Sequence, residues 1–488
     1  MNRKMVFHMT GQIIAMEGGL LLLPLIVALI YRDQNCIPAF LLTIGIALCL
    51  GVGLSLLFKP RDHVIFAKDG FLIVALAWIV VSLIGALPFV FAGEIRSYAD
   101  AFFETVSGFT TTGATILTDV ECMSKSLLFW RSFTHWIGGM GVLVFIMAII
   151  PSVSGRNIHI MRAEMPGPIV GKLVPRLRDT AKILYLIYFV MTVVEIILLR
   201  CGGMNLFESI VHSFGTAGTG GFGVRNASIG AYSPYIQWVI TVFMLLFGVN
   251  FNLYYLLLIR RFRSVFKSEE LWVYLCIAFA ATALIFWNTY AQFSNTADAI
   301  RGSAFQVVSF MTTTGYVTAP FNDWPTLSKT ILLLLMFCGA CAGSTAGGLK
   351  VSRLMLLFKM IRREIRHMLH PRSISTVNFE GKPVENKTLI SVCVYFALYA
   401  GILALVFLVL SFDPKVSANY DIETNLSAAV SCFNNIGPGL GAGFRESGGT
   451  FADYSIVSKI VLSLAMLLGR LELYPLLIAM SPSTWRKQ

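Results

Sequence analysis

Apolar positions in this chain gather into long runs rather than alternating. Two runs open it, at about 11–31 and 37–58, and a unit then recurs four times. Each unit has an apolar run, a short run of a dozen or so residues, a Gly-containing turn and a second apolar run. The first runs lie near 70–92, 179–200, 270–293 and 388–412; the second near 126–150, 232–259, 327–358 and 455–480. The long runs match the roughly 20 apolar residues that a membrane helix needs. The short runs, near 99–111, 205–218, 300–313 and 422–435, are too short to span. The pattern divides the chain into two N-terminal helices (1–60), repeat 1 (61–170), repeat 2 (171–263), repeat 3 (264–370, with an intramembrane loop at 341–350) and repeat 4 (371–488).

Irregular backbone following a non-spanning helix cannot face lipid, because each unpaired N–H or C=O there costs several kcal/mol; it belongs against protein or a water-filled path. Four such elements in one chain predict an all-α polytopic membrane protein. Four pseudo-symmetric membrane helix–pore loop–membrane helix repeats surround one pore, preceded by two extra transmembrane helices. The turns read Ser107-Gly-Phe-Thr-Thr-Thr-Gly113, Ser309-Phe-Met-Thr-Thr-Thr-Gly315 and Ser431-Cys-Phe-Asn-Asn-Ile-Gly437. The second, Gly215-Thr-Ala-Gly-Thr-Gly-Gly221, is less regular and is registered on Gly221, which Glu208 precedes by thirteen residues, as Asp100 precedes Gly113. A dehydrated cation requires carbonyl oxygens in place of its water, and Gly permits the dihedrals that aim successive carbonyls at an axis. The candidate ligand set is Thr111, Thr112, Gly113, Thr219, Gly220, Gly221, Thr313, Thr314, Gly315, Asn435, Ile436 and Gly437. The plainer reading, that Gly and Thr merely let helices pack closely, suffices for one turn and is strained for four.

Charge fixes an orientation. Of 38 Lys+Arg, 26 fall in segments assigned inside (1–10, 59–70, 151–182, 260–270, 350–387 and 481–488), 11 outside and one, Arg470, in an apolar run. The acids divide 9, 14 and 3, so the inner face carries +17 and the outer face −3. Both termini are then cytoplasmic, and the net +12 is a topology signal before it is a sign of any polyanionic partner. Anionic lipid or an acidic protein can use it as well. The Met1–Lys4 start and the apolar stretch after it lack a small-x-small cleavage pattern and read as a retained first helix. Charged residues make up 13% of the chain and apolar ones 56%, with mean hydropathy +0.74, which excludes a large soluble enzyme.

Arg470 interrupts the run 460–478 about midway along the predicted last helix. A central arginine is costly in lipid and faces a wet cavity or a partner. Glu472, two positions on, lies on another helix face. Gly343, Ser344, Thr345, Ala346, Gly347 and Gly348 interrupt the second run of repeat 3, and their free carbonyls suit a guanidinium. Loop and arginine together are either a constriction beneath the turns, opened by a partner, or a structural tie between repeats. Arg353, Lys359, Arg362, Arg363, Arg366 and His367 form a basic helix end, read as solvated positive-inside charge or as a docking surface. His135 reads as a packed, hydrogen-bonded histidine, and Cys338-x-x-Cys341 as packing within an apolar helix. Glu17 and Glu195 are intramembrane carboxylates, either functional or reaching the interface. Gly437–Gly443 lacks a βαβ context, no P-loop or Rossmann fingerprint is present, and no acid–base or metal constellation assembles. The chain is therefore read as no enzyme, with no cofactor of its own. The rival reading to a channel-like protein is an alternating-access carrier for another solute, which calls for inverted halves and a midplane site.

The four turns resemble the filter loops of the Trk/Ktr/HKT superfamily. Further stretches resemble its TrkH branch: Trp130-Arg-Ser-Phe-Thr-His-Trp-Ile-Gly-Gly-Met-Gly141, Arg162-Ala-Glu-Met-Pro-Gly-Pro168, Pro175-Arg-Leu-Arg-Asp-Thr-Ala-Lys182, Ala342-Gly-Ser-Thr-Ala-Gly-Gly-Leu-Lys350 and Leu468-Gly-Arg-Leu-Glu472. The two extra N-terminal helices favour that branch over the shorter KtrB type. Two departures are Gly218-Thr219-Gly220-Gly221 and Asn434-Asn435-Ile436. The resemblance implies potassium uptake across a bacterial inner membrane, with K⁺ as substrate at the residues above. It implies a homodimer with one pore per chain. It also implies a cytosolic ring of RCK-type, TrkA-like subunits that carry the nucleotide, NAD(H) or ATP/ADP.

Overall fold

The computed structural model describes residues 2–60, 67–141, 177–372, 376–416, 420–446 and 449–485. The motif Arg162–Pro168, most of the 151–182 segment and the 142–150 end of repeat 1's second run lie outside them. The regular structure of the described residues is helical apart from one hairpin, β1 (Asn378–Phe379) with β2 (Lys382–Pro383).

The first helix begins at Arg3, earlier than the apolar pattern indicates, because the Asn2 side chain accepts the Met5 N–H as a cap. It forms α1 (Arg3–Leu20) and α2 (Leu22–Tyr31), and α3 (Cys36–Leu57) follows. Small residues let α1 and α3 touch: a Cβ built on Gly11 would lie 2.7 Å from the Gly51 carbonyl oxygen. Repeat 1 holds α4 (Ala67–Gly85), α5 (Leu87–Phe91), α6 (Tyr98–Phe109) and α7 (Lys125–Gly139). Repeat 2 holds α8 (Leu177–Cys201), α9 (Leu206–Gly218), α10 (Pro234–Phe247), α11 (Phe251–Leu258) and the connecting α12 (Phe262–Phe266). Repeat 3 holds α13 (Glu269–Thr289), α14 (Thr296–Met311), α15 (Thr326–Cys338) and α16 (Val351–Leu369). Repeat 4 holds α17 (Asn386–Ser411), α18 (Ile422–Phe433), α19 (Ala442–Glu446), α20 (Ile456–Arg470) and α21 (Tyr474–Met480), before a last turn, α22 (Pro482–Trp485).

Among the described residues six helical segments are long and apolar enough to cross a membrane, and a seventh is the bent pair α10–α11. Large apolar side chains such as Leu57, Phe279, Trp287 and Phe412 are exposed, as a lipid-facing perimeter requires. Trp78, Trp130, Tyr188, Tyr274 and Tyr316 fill the interior.

The short helices α6, α9, α14 and α18 start alike. Ser97, Asn205, Asn295 and Asp421 cap them, accepting the N–H of Asp100, Glu208, Asp298 and Thr424. A first-turn acid of each is ion-paired: Asp100 with Lys459, Glu208 with Arg225, Asp298 with Arg301 and Glu423 with Lys329.

The second apolar runs are not continuous helices. α10 and α11 meet at 90°. α15 stops at Cys338 and α16 starts at Val351, so the unwound stretch is 339–350, slightly longer than the 341–350 expected. Cys338 therefore ends a helix and Cys341 sits in the loop, both as buried free thiols, rather than sharing one helix. α20 ends at Arg470, so that arginine is the last residue of a helix instead of lying midway; Glu472 and Leu473 follow with φ of 56° and 68°. α7 ends at Gly139, and Gly141 has φ 84°. The physical reason is close approach. Cβ atoms on Gly138 and Gly469 would strike the carbonyls of Phe109 and Phe433, where short helices end. Hydropathy runs straight through such breaks, because broken backbone buried in protein keeps its apolar neighbours.

Candidate functional site

The four turns share one backbone. Thr111, Thr219, Thr313 and Asn435 are left-handed, with φ between 55° and 57°. Gly113, Gly221, Gly315 and Gly437, two residues on, have φ of 79°, 74°, 82° and 104°. The intervening residue closes back on the short helix each time: the N–H groups of Thr112, Gly220, Thr314 and Ile436 donate to the carbonyls of Ser107, Gly215, Ser309 and Ser431 at 2.8–3.0 Å. Thr219 thus stands in the register of the other three, and anchoring on Gly221 matches the geometry. Asn at the fourth position fits because Asn tolerates left-handed backbone. Its Nδ2 also donates to Thr112 Oγ1 at 3.0 Å and to the Met466 carbonyl at 2.9 Å.

The turns close a ring. A Cβ on Gly113 would strike the Gly220 carbonyl, one on Gly221 that of Thr314, one on Gly315 that of Ile436, and one on Gly437 would sit 2.7 Å from that of Thr112. Each turn therefore presses on the next in the order 1–2–3–4–1. The short helices point their C-terminal ends at this ring, and those ends carry partial negative charge.

Buried polar groups brace the ring from behind. Arg131 Nε donates to Glu104 Oε1 at 2.5 Å and its NH1 to the Gly223 carbonyl at 3.3 Å. The guanidinium lies 3.5 Å from the Phe222 ring centre. Glu104 also accepts from Thr115 Oγ1 and the Ile116 N–H. This pair links the segments following the first two turns. Counting charge by loop placed Arg131 at the outer face; it is buried, and a basic residue inside an otherwise apolar helix was the available signal. His135 Nδ1 donates to the Gly108 carbonyl at 2.8 Å and its ring packs 4.1 Å from Phe222, centre to centre. Glu17 and Glu195 are buried within the protein.

Beyond the glycines opens a vestibule of about 420 Å³, lined by all four of them and by Arg131, Arg225, Asp323 and Arg445. Its rim joins repeats 1 and 2 through Asn226, which bonds Val120 and Asp119 at 2.8 and 2.9 Å. Hydrogen bonds from the Cys122 thiol and Asn226 hold the Asp119 carboxyl below the usual carboxylate range, and Asp119 in turn raises the Cys122 thiol.

On the loop side of the ring lies a separate, smaller cavity of about 50 Å³, lined by Trp78, Gly139, loop residues, Lys350 and Arg470. The 339–350 loop forms much of its wall. The Gly347 N–H donates to Thr313 Oγ1 at 2.7 Å, and a Cβ on Gly347 would strike the Asn434 carbonyl. Arg470 donates to the carbonyls of Thr345 (2.8 Å), Gly138 (2.5 Å) and Gly139 (2.7 Å), joining the loop to repeat 1. Its neighbour Glu472 pairs instead with Arg353, which stacks 4.2 Å over Tyr395. Arg353 is thus buried and outside the exposed basic face of α16. Lys350, absent from the sequence-based set, is buried with its Nζ on the Ala346 carbonyl. In sequence it only closes the Ala342–Lys350 stretch and counts among the lysines assigned inside. Among the described residues no cluster of three or more His, Cys, Asp or Glu could hold a metal ion.

Repeated helix–turn–helix units around one ring of backbone carbonyls, within a belt of apolar helices, define a polytopic membrane protein of channel-like architecture. Comparison with known proteins narrows this. Residues 36–487 match the model of the TrkH family, described as cation transport protein. The chain belongs to that family. It is 37% identical to the Trk system potassium uptake protein TrkH of Escherichia coli K12 and 35% identical to TrkG of the same strain, over 100% and 99% of each chain. The crystal structure of the potassium transporter TrkH from Vibrio parahaemolyticus superposes with a TM-score of 0.87 at 33% identity, covering both chains fully.

Proposed function

We propose that this chain is the pore-forming subunit of a potassium uptake system. K⁺ sheds its water at the ring and is coordinated by carbonyls of Thr111–Gly113, Thr219–Gly221, Thr313–Gly315 and Asn435–Gly437. The observation that carries this reading is the closed ring of four turns with one backbone conformation. Four same-sense elements on one axis favour it over an alternating-access carrier. The loop Gly343–Gly348 with Arg470 is the gate. Its Gly347 N–H reaches the Thr313 hydroxyl of the ring, and the guanidinium on its Thr345 carbonyl raises the barrier to a cation. The vestibule faces the periplasm and the termini face the cytoplasm, as the Lys+Arg division supports.

The chain sits in the bacterial inner membrane as a homodimer. A cytosolic RCK-type, TrkA-like subunit carrying NAD(H) or ATP/ADP docks on the basic face of α16, where Arg362 and Arg366 are exposed and Arg363 is half-buried against Asn386 of α17. Growth rescue of a potassium-uptake-deficient bacterium at limiting K⁺, followed by Rb⁺ flux in liposomes, tests the function. Failure of both with correctly folded protein refutes it.

A further inference from the structure

The loop beneath the ring is held at both feet by one carboxylate. Glu270 Oε1, at the start of α13, accepts the Ala342 N–H at 2.7 Å and the Ser352 N–H at 3.1 Å. Ala342 directly precedes the loop glycine Gly343, and Ser352 is the second residue of α16. The first N–H groups of a helix have no partner inside it. Lys350, in the N-cap position of α16, gives them no side-chain cap, because its ammonium has donors and no acceptor; its Nζ donates to the Ala346 carbonyl instead. Glu270 supplies the missing acceptor from another helix and adds negative charge where a helix N-terminus favours it.

The same corner is tied to the cytoplasmic elements. The Glu270 N–H and Ser268 Oγ both donate to Glu380 Oε1 beside the β1–β2 hairpin, at 3.1 and 2.9 Å. Glu269 pairs with Lys359 on α16. A displacement of α16 away from α13 would therefore pull on the Glu270 bonds; the feet are also held by Cys341 N–H on the Gly248 carbonyl and Val351 N–H on the Ala340 carbonyl, but Glu270 Oε1 is the one side-chain oxygen they share.

We infer that Glu270 is a positioning residue that latches the 343–348 loop closed by clasping Ala342 and Ser352, so that α16 releases the loop when it moves away from α13. The inference rests on the proposed gate. The test is ⁸⁶Rb⁺ flux per folded, monodisperse protein in liposomes without any cytosolic subunit, for wild type, Glu270→Ala, Glu270→Gln, Glu270→Asp and Arg470→Ala. Loss of the latch is expected to raise flux in Glu270→Ala by about tenfold, equivalent to about 1.4 kcal/mol at the loop. Glu270→Gln keeps an acceptor oxygen and is expected to restore low flux. Glu270→Asp, one methylene short of two donors, is expected to leak, and it stands in should the alanine variant not fold. If Arg470→Ala leaks while neither the alanine nor the aspartate variant does, the latch is overturned and the gate stands. If no variant leaks, including Arg470→Ala, the gate falls and takes the latch with it.

Discussion

Replacing Gly315 by alanine perturbs the ring at a point where two effects can be separated. Its φ is 82°, and a Cβ there would lie well inside the 3.0 Å that real Cβ atoms keep from the Ile436 carbonyl oxygen. Left-handed backbone at a non-glycine residue costs about 1–2 kcal/mol. That is a minor part of a typical stability of about 5–15 kcal/mol, so folded protein is expected. The second effect falls on repeat 4, whose carbonyl must withdraw. Weakening one charge-assisted contact is worth about 1.5–3 kcal/mol. If the contact discriminates between ions, that is about ten- to hundredfold in the K⁺/Na⁺ ratio. Gly113→Ala is expected to act equally, through the Gly220 carbonyl. Gly437→Ala, whose Cβ would still crowd the Thr112 carbonyl but at 2.7 Å, is expected to be milder. Competition of Na⁺ against ⁸⁶Rb⁺ uptake in liposomes reads the ratio. Wild-type ratios in both Gly113→Ala and Gly315→Ala would refute the reasoning.

Arg470→Ala removes three donor contacts to loop and repeat 1 carbonyls, and is expected to raise partner-free Rb⁺ flux; an equal fall in yield and flux would mark it as a tie instead. Glu104→Ala leaves Arg131 buried without its charge partner and is expected to cost about 3–5 kcal/mol, read as lowered thermal stability in detergent; the double variant Glu104→Leu/Arg131→Met is expected to recover most of it. Cys122, exposed at the vestibule rim, is expected to react with an impermeant thiol reagent in whole cells. Asp119 disfavours its thiolate, so labelling at a fixed pH near 8 is expected to quicken in Asp119→Asn, and its labelling-versus-pH curve to shift downward.

The repeat pattern, the short helices and the turn glycines were legible because each is a local necessity: a length too short to span, a cap at the start, a glycine where φ is positive. The ring order was not, since it depends on which turn's Cβ position meets which carbonyl across the axis. Continuous apolar runs hid the breaks at Gly139, Gly248 and Arg470, because interior backbone keeps apolar neighbours whether or not it is helical. Polar residues that act across repeats were likewise hidden. Glu270 reads locally as a first-turn acid and Lys350 as one more inside lysine; only the fold brings them to the 339–350 loop. Arg470 was visible as an anomaly, and its carbonyl partners in repeat 1 were not.

The most direct test of the ion path is anomalous scattering from crystals of the purified protein grown with Rb⁺ in place of K⁺. The account predicts a peak on the axis ringed by the carbonyls of Thr112, Gly220, Thr314 and Ile436, lost when Na⁺ replaces Rb⁺. Rb⁺ bound elsewhere in the protein, with none inside that ring, would contradict it.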